Sequence, residues 1–306
     1  MKGRHHQDFI KRAQGLAPLR TAVVHPVDEV SLAGAIEAAR KKLIVPVLVG
    51  PEHKIRAAAA AAKLDLSGYE LVPTEHSHAA AAQAVALARD RKVEALMKGS
   101  LHTDEFMGAI VHEERLRTAR RMSHVFVIDC PDYPRPLLVT DAAINIYPDL
   151  ESKVDIVQNA IGLAHALGIA LPKVAILSAV ETVTPKIKST IDAAALCKMA
   201  DRRQITGGIL DGPLAFDNAV SAEAARTKGI VSPVAGQADI FVVPDLEAGN
   251  MLAKQLEYLA EAEIAGIVLG ARVPVILTSR ADKTLARLGS CAVALLLARH
   301  KAEATP

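Results

Sequence analysis

What most limits the folds open to this chain is a repeated switch of hydrophobic period. Short runs rich in branched apolar residues alternate with longer stretches in which apolar residues recur every three to four positions. Residues 43–49 read Leu-Ile-Val-Pro-Val-Leu-Val and stop at Gly50-Pro51, while residues 28–42 carry a helical stripe of Val30, Ala33, Ala35, Ile36 and Ala39. The same reading predicts strands at 93–97, 125–128, 137–140, 174–177, 240–243 and 273–278. It predicts helices at 78–89, 150–167, 189–200, 246–260 and 281–299, and a helix rather than a tether through the alanine run at 57–62. Continuous apolar runs belong to strands buried on both faces, and strands separated by helices need crossover connections. The expected fold class is therefore α/β with a mostly parallel sheet. No period of 20–50 residues recurs, which excludes a solenoid.

With 306 residues the chain can form one large or two modest domains. Apolar residues make up 51% and charged residues 23%, as in a soluble globular protein. A net charge of +2 gives no strong pull toward nucleic acid or an anionic membrane, and 3% aromatics without Trp make poor stacking platforms. Neither nucleic acid nor membrane is expected as a partner. Cys130, Cys197 and Cys291 are odd in number, far apart and without CxxC spacing. That speaks against a disulfide framework and against a zinc site, and for a reducing, cytoplasmic location. Residues 1–12 are polar and basic, unlike a secretion signal, and the apolar run 292–298 is too short to span a bilayer. His5-His6 are too few for a metal tag and are expected in a flexible end.

In parallel sheets, ligands gather at the carboxyl ends of strands beside helix N-termini, so the strand-to-helix junctions are where chemistry is expected. At 275–282 the chain reads Val-Ile-Leu-Thr-Ser-Arg-Ala-Asp. Ser279 and Arg280 there have the residue types to donate to a developing oxyanion and to fork onto phosphate oxygens; equally, Ser279 and Asp282 can cap the helix while Arg280 faces water. At 95–105, Gly99 allows a tight turn and Thr103 can cap the next helix. Lys98, Ser100, His102 and Thr103 can line an anion, although Asp104 and Glu105 already satisfy the helix dipole. A third junction ends in the polar cluster Thr140-Asp141. A fourth, 209–219, holds Asp211 and Asp217, which suit either magnesium or turn and cap roles; the reading adopted is no metal site. A fifth, 244–250, places acidic residues at a helix start. There is no GxxxxGK[ST], no GxGxxG after a strand, no HExxH and no GxSxG.

Together these junctions resemble the phosphate acetyltransferase and phosphate butyryltransferase family. The segments that carry the resemblance are KGSLHTDEF (98–106), TDAAINIYPDLESK (140–153), ILDGPLAFDNA (209–219), ADIFVVPDLEAGNMLAKQL (238–256) and VPVILTSRAD (273–282), in that order. The wording is closest to the transferase part of enoyl-CoA hydratase–phosphate acetyltransferase fusions. The resemblance implies a two-domain α/β/α fold like isocitrate and isopropylmalate dehydrogenases, with an active-site cleft between domains. It implies a discontinuous first domain, 1–123 plus 277–306, and 124–276 inserted as a second. It also implies the reaction acyl-CoA + phosphate ⇌ acyl phosphate + CoA by direct transfer in a ternary complex. Coenzyme A is then a substrate, no cofactor is bound, and the protein is a homodimer or higher homo-oligomer.

Catalytic roles fall by resemblance on Ser279 and Arg280. Substrate binding is expected at Lys98, Gly99, Ser100, His102, Thr103, Thr140 and Asp141. The acetyltransferases place a carboxylate several residues after the Ser-Arg pair, whereas residues 283–290 here read Lys-Thr-Leu-Ala-Arg-Leu-Gly-Ser. Asp282 is the remaining acid for that role. An arginine of the helix after Lys98 also lacks a match, and Arg115, Arg117, Arg120 and Arg121 are the nearby replacements. Two other readings share the fold: a non-catalytic acyl-CoA sensor, and a metal- and NAD-dependent dehydrogenase.

Overall fold

A parallel strand buried on both faces has room for apolar side chains at every position, and several strands here are built that way. In the computed structural model, which describes residues 3–278 and 283–304, β4 and β10 are buried throughout their length. The elements run in chain order as α1 (Arg4–Ala13), β1 (Leu19–Val24), α2 (Glu29–Arg40), β2 (Ile44–Gly50), α3 (Glu52–Ala61), β3 (Glu70–Pro73), α4 (Ser77–Arg89), β4 (Ala95–Lys98) and α5 (Thr103–His112). There follow β5 (Ser123–Asp129), β6 (Leu137–Thr140), α6 (Leu150–Ala166), β7 (Lys173–Leu177), α7 (Lys188–Asp201), β8 (Ile209–Leu214), α8 (Phe216–Val220), α9 (Ala222–Thr227), β9 (Ile240–Val242) and α10 (Leu246–Leu259). The chain closes with β10 (Glu263–Leu269), β11 (Val275–Ile276) and α11 (Thr284–Ala304).

Two compact units divide the chain. A terminal unit holds 6–119 with 265–306, and an inserted unit holds 120–264 with 1–5. The expected division, 1–123 plus 277–306 around 124–276, crosses back later. Here Val275 and Ile276 pair with Leu96 and Met97 of β4, and Ile267 and Val268 pair with β11, which ties residues 265–276 to the terminal unit.

In the terminal unit the strand order is β3-β2-β1-β4-β11-β10. All neighbours are parallel except β10 and β11. The chain winds outward from β1 to β2 and β3, then returns to lay β4 on the other side of β1. The direction of winding thus reverses between β1 and β4, the position where an open α/β sheet leaves a crevice at its carboxyl edge. In the inserted unit the order is β5-β6-β9-β7-β8, with β5 and β6 antiparallel and the rest parallel. Its core packs Val139, Ala175, Leu214 and Phe241 together with Val243 and Ala253.

Helix ends follow one recipe. After α2, α3, α4 and α7, a Lys or Arg takes the left-handed conformation: Lys42, Lys63, Arg91 and Arg203 have φ of 58°, 52°, 57° and 60°. The next amide reaches back, as from Leu43 to the Ala38 carbonyl and from Lys92 to the Leu87 carbonyl. This is the helix-ending turn usually given to glycine, and a cation there complements the negative end of the helix.

The structure departs from the sequence reading in several places. β1, β3, β8 and β10 were not predicted, and the strand expected at 273–278 shrinks to two residues. β3 and β8 end the strand order, and β8 carries the turn signal Asp-Gly-Pro, which an edge strand tolerates. The N-terminus expected to be flexible forms α1, because His6, Phe9 and Ala13 recur at helical spacing and are buried. Among the described residues no helix is long and apolar enough to cross a membrane.

One buried ion pair joins α6 to α7. Lys153 Nζ lies 2.7 Å from Asp192 Oδ2 with both side chains buried, and Lys188 adds a second contact at 2.7 Å. Burial pushes the Asp192 carboxyl up, but the hydrogen bonds from Lys153 and Lys188 outweigh it and hold it below the usual carboxylate range. Removing one partner of such a pair strands the other's charge. Asp192→Asn is expected to destabilise the protein by about 3 kcal/mol in urea unfolding, and Lys153→Met/Asp192→Leu to recover most of that loss. An Asp192→Asn midpoint equal to the wild type would refute this role.

Candidate active site

The carboxyl ends of β1 and β4 are brought together by a missing side chain. A Cβ placed on Gly99 would stand 2.3 Å from the Val24 carbonyl oxygen and 2.8 Å from the carbonyl carbon and oxygen of His25. Only glycine lets the backbones approach this closely. The amides of Gly99 and Ser100 donate to the carbonyls of Val24 and His25 at 2.9 and 3.0 Å. The Ser100 hydroxyl donates to the His25 carbonyl at 2.8 Å and accepts from the Val27 amide at 3.1 Å.

Lys98 is buried at the end of β4, which runs one residue further than the sequence predicts. Its ammonium lies 3.5 Å from the Gly99 carbonyl. Helix α5 then starts at Thr103. His102, not Thr103 as predicted, occupies the N-cap position, and its side chain makes no capping hydrogen bond. The first amides of α5 are therefore without a side-chain cap.

Two residues at this edge escaped the sequence reading. His25 follows β1 with φ of 55°, and its Nδ1 is buried without a partner among the described residues. Burial, and after it the charge of Lys54, hold its pKa below the usual histidine value, so the ring is neutral at pH 7. Asp28 caps α2 by accepting from the Ser31 amide at 2.7 Å. Burial raises its pKa, and hydrogen bonding, first of all from the Ser31 amide, more than offsets that. β1 mixes polar with apolar residues, so the sequence pattern gives no strand end there.

Ser279, Arg280 and Asp282 lie outside the described residues. The chain leading to them passes Thr278, whose hydroxyl donates to the Lys98 carbonyl at 3.4 Å.

Thr140 and Asp141 belong to the inserted unit, where both are buried and occupied. The Thr140 hydroxyl donates to the His124 carbonyl at 2.8 Å. The Asp141 carboxylate accepts from the amides of Ala143, Ile144 and Asn145 and from Asn145 Nδ2, at 2.6–3.2 Å. Asn145 in turn accepts from Arg121 Nε at 2.7 Å. The PDLEAGN segment packs on this loop. Asp245 caps α10 by accepting from the Ala248 amide, Asn250 donates to the Ala142 carbonyl, and a Cβ on Gly249 would come within 3.0 Å of the Asp141 carbonyl oxygen.

Other chemistry finds little footing. Burial pushes Cys197 and Cys291 up to about 12, which leaves them no thiolate at neutral pH. Asp211 accepts from the Gly212 amide, and Asp217 faces Lys228 at 3.1 Å. Among the described residues no group of three or more His, Cys, Asp and Glu is placed to hold a metal.

The phosphate acetyl/butaryl transferase family model matches residues 73–295. The chain belongs to this family. It is 64% identical to a phosphate acetyltransferase of Rhizobium meliloti, over 96% of this chain and 93% of that protein. It is 41% identical to a phosphate butyryltransferase of Clostridium acetobutylicum, over 96% and 98% of the two chains. The crystal structure of a branched-chain phosphotransacylase from Enterococcus faecalis superposes with a TM-score of 0.80 at 29% identity, covering 92% of this chain and 99% of that one. As a member of the phosphate acetyl/butyryl transferase family, the chain is an acyltransferase. The sensor and dehydrogenase readings give way to that membership.

In this transferase the loop after β6 rests on a buried neutral histidine. His124 stacks edge-on against Phe126 with ring centroids 4.4 Å apart. Burial lowers its pKa to about 4, partly opposed by the charge of Asp141. A histidine depressed from about 6.5 in the unfolded chain contributes stability that is complete above that value. The contribution is lost as pH falls toward 4, because the unfolded chain takes up the proton first. Between about pH 7.5 and 5 this amounts to about 2 kcal/mol. Urea midpoints at the two pH values should fall less for His124→Gln than for the wild type; an equal fall would remove His124 as the cause.

Proposed function

We propose that the chain exchanges a short acyl group between coenzyme A and inorganic phosphate by direct transfer in a ternary complex. The observation that carries this reading is family membership over nearly the whole chain. The fold proposed with it is the α/β/α arrangement of isocitrate and isopropylmalate dehydrogenases. The strand-end cluster of the terminal unit supplies the local chemistry.

Phosphate is bound, in this reading, where Lys98, Ser100 and the uncapped amides of α5 at His102 and Thr103 provide positive potential. Gly99 keeps the backbone close enough for that group to form. Arg280 forks onto the phosphate, and Ser279 with nearby amides stabilises the tetrahedral oxyanion. A phosphate oxygen attacks the thioester carbonyl, the C–S bond breaks, and the coenzyme leaves as thiolate. In the reverse direction the thiol must lose its proton. With a pKa near about 8.5 it is only slightly ionised at pH 7, and Asp282 is the proposed base. Thr140 and Asp141 act in this scheme through the shape of their loop.

Acetyl is the favoured acyl group, since the acetyltransferase relative is 64% identical and the butyryltransferase 41%. One methylene more or less is worth only about 1–3 kcal/mol in an apolar pocket, so longer acyl groups should turn over more slowly without being rejected. No cofactor is required, and a cytoplasmic location fits the cysteine usage. A homodimer is proposed as well. Met251, Tyr258 and Leu259 of α10 leave apolar surface exposed, and sedimentation giving a single monomer mass would exclude the dimer.

Phosphate-dependent release of free thiol from acetyl-, propionyl- and butyryl-CoA tests the reaction. Acetyl-CoA should be fastest, and Arg280→Ala should lower kcat at least about a hundredfold. Coenzyme A binding without phosphate-dependent turnover would overturn the reading.

A further inference from the structure

The terminal unit has a second concentration of positive charge, at the opposite edge of its sheet. A pocket of about 520 Å³ opens where β4 and β11 begin. Arg89, Arg91, Arg115, Arg272, Arg299 and Lys301 line it, against one acid, Glu94. Its apolar walls include Val93, Leu116 and Pro274.

Part of this charge has a structural explanation. Arg89 sits in the last turn of α4 and pairs with Asp90 at 2.8 Å and Glu113 at 3.7 Å. Arg299 near the end of α11 pairs with Glu94 at 2.6 Å and donates to the Ala17 carbonyl. Cations are favoured at helix C-termini in any case. Arg91 also stands at the end of α4, but with Arg115 and Arg272 it differs in its pairing. Among the described residues none of the three forms an ion pair with a carboxylate, and the nearest bond of Arg272 is a long one, 3.4 Å, from Nε to the Arg117 carbonyl. Three arginines lining one concavity repel one another, and Asp90 offsets part of this at Arg115. Phosphates and carboxylates relieve that repulsion and match the guanidinium fork in geometry.

We infer that this pocket binds a small organic polyanion, bearing two or more phosphate or carboxylate groups, at a site separate from the acyl-transfer site. The volume suits such a ligand, and the apolar walls suit the part of it that carries no charge. Separation follows from the strands. The pocket meets Val93 and Glu94 before β4, whereas Lys98 ends that strand, about 13 Å along four extended residues, and Gly99 and Ser100 follow it.

Calorimetric titration of the full chain with pyrophosphate, ATP and citrate tests the site and distinguishes phosphate from carboxylate ligands. Arg91→Asn/Arg272→Gln is the comparison, since asparagine tolerates the left-handed backbone at position 91. At least one of the three probes should bind the wild type and bind the double variant about tenfold or more weakly. The KM values for coenzyme A and phosphate should stay unchanged, and the urea midpoint should not fall. Binding that is absent, or equal in the two proteins, overturns the inference. A raised KM for coenzyme A in the double variant also overturns it, because the pocket would then belong to the substrate site. Since the titration is read without turnover, its result stands whether or not acyl transfer is observed.

Discussion

No side chain fits between the ends of β1 and β4. The distance of 2.3 Å from a hypothetical Gly99 Cβ to the Val24 oxygen means that any other residue would force the two strands apart. With glycine, the amides of Gly99 and Ser100 just past β4 bond to the carbonyls of Val24 and His25 at the end of β1, and Ser100 is locked over His25. The reversal of winding between these strands sends their crossovers in opposite directions. That leaves the carboxyl edge open where Lys98, Ser100 and the start of α5 converge. The approach to residue 279 is fixed at the same place through Thr278 and the Lys98 carbonyl. One absent methyl group thus sets the position of the most conspicuous polar cluster in the terminal unit.

In the inserted unit the polar residues of the most recognisable segments are engaged in hydrogen bonds of the scaffold. Asp141 accepts four hydrogen bonds from the loop that follows it, and Thr140 gives its hydroxyl to a buried carbonyl. A carboxylate so fully occupied holds the backbone of its loop in place. Asp245 and Asn250 extend the same scaffold from α10. A sequence signature rich in Asp, Asn and Thr therefore marks loops that must be rigid as readily as groups that touch substrate. The contrast with the β1–β4 edge is physical: there His25 Nδ1 and Asp28 Oδ2 are buried with no partner among the described residues.

The fold class was legible because unbroken apolar runs and helical stripes differ in period, and β2, β5, β6, β7 and β9 appear where those runs predict. β1 was lost because Leu-Arg-Thr-Ala-Val-Val mixes polar with apolar residues, and its loss concealed His25. β8 was lost because Asp-Gly-Pro reads as a turn, although an edge strand accepts it. Helix ends were obscured for another reason: Lys42, Lys63, Arg91 and Arg203 stand where glycine is the usual signal. At the candidate site the sequence named Lys98, Gly99 and Ser100 correctly as neighbours of a strand end. It could not show that the glycine's role is a close approach to β1, since that contact is seventy-odd residues distant along the chain and depends on a strand that was not seen.

Those unusual helix ends also explain why the two edges of the terminal sheet differ in chemistry. In a parallel α/β unit the helices start at the carboxyl edge and end at the amino edge. Helix N-termini present free amides, so the carboxyl edge draws anions through backbone and needs few cationic side chains. Helix C-termini present free carbonyls, so the amino edge collects lysine and arginine from the chain itself. Arg89, Arg91 and Arg299 are recruited in this way. The dipoles account for cations one helix end at a time. They do not account for Arg272, and Arg115 comes from the short turn that follows α5; both line the same concavity. Convergence of cations from separate segments adds repulsion that no helix end relieves, and a polyanion is the class of ligand that removes it.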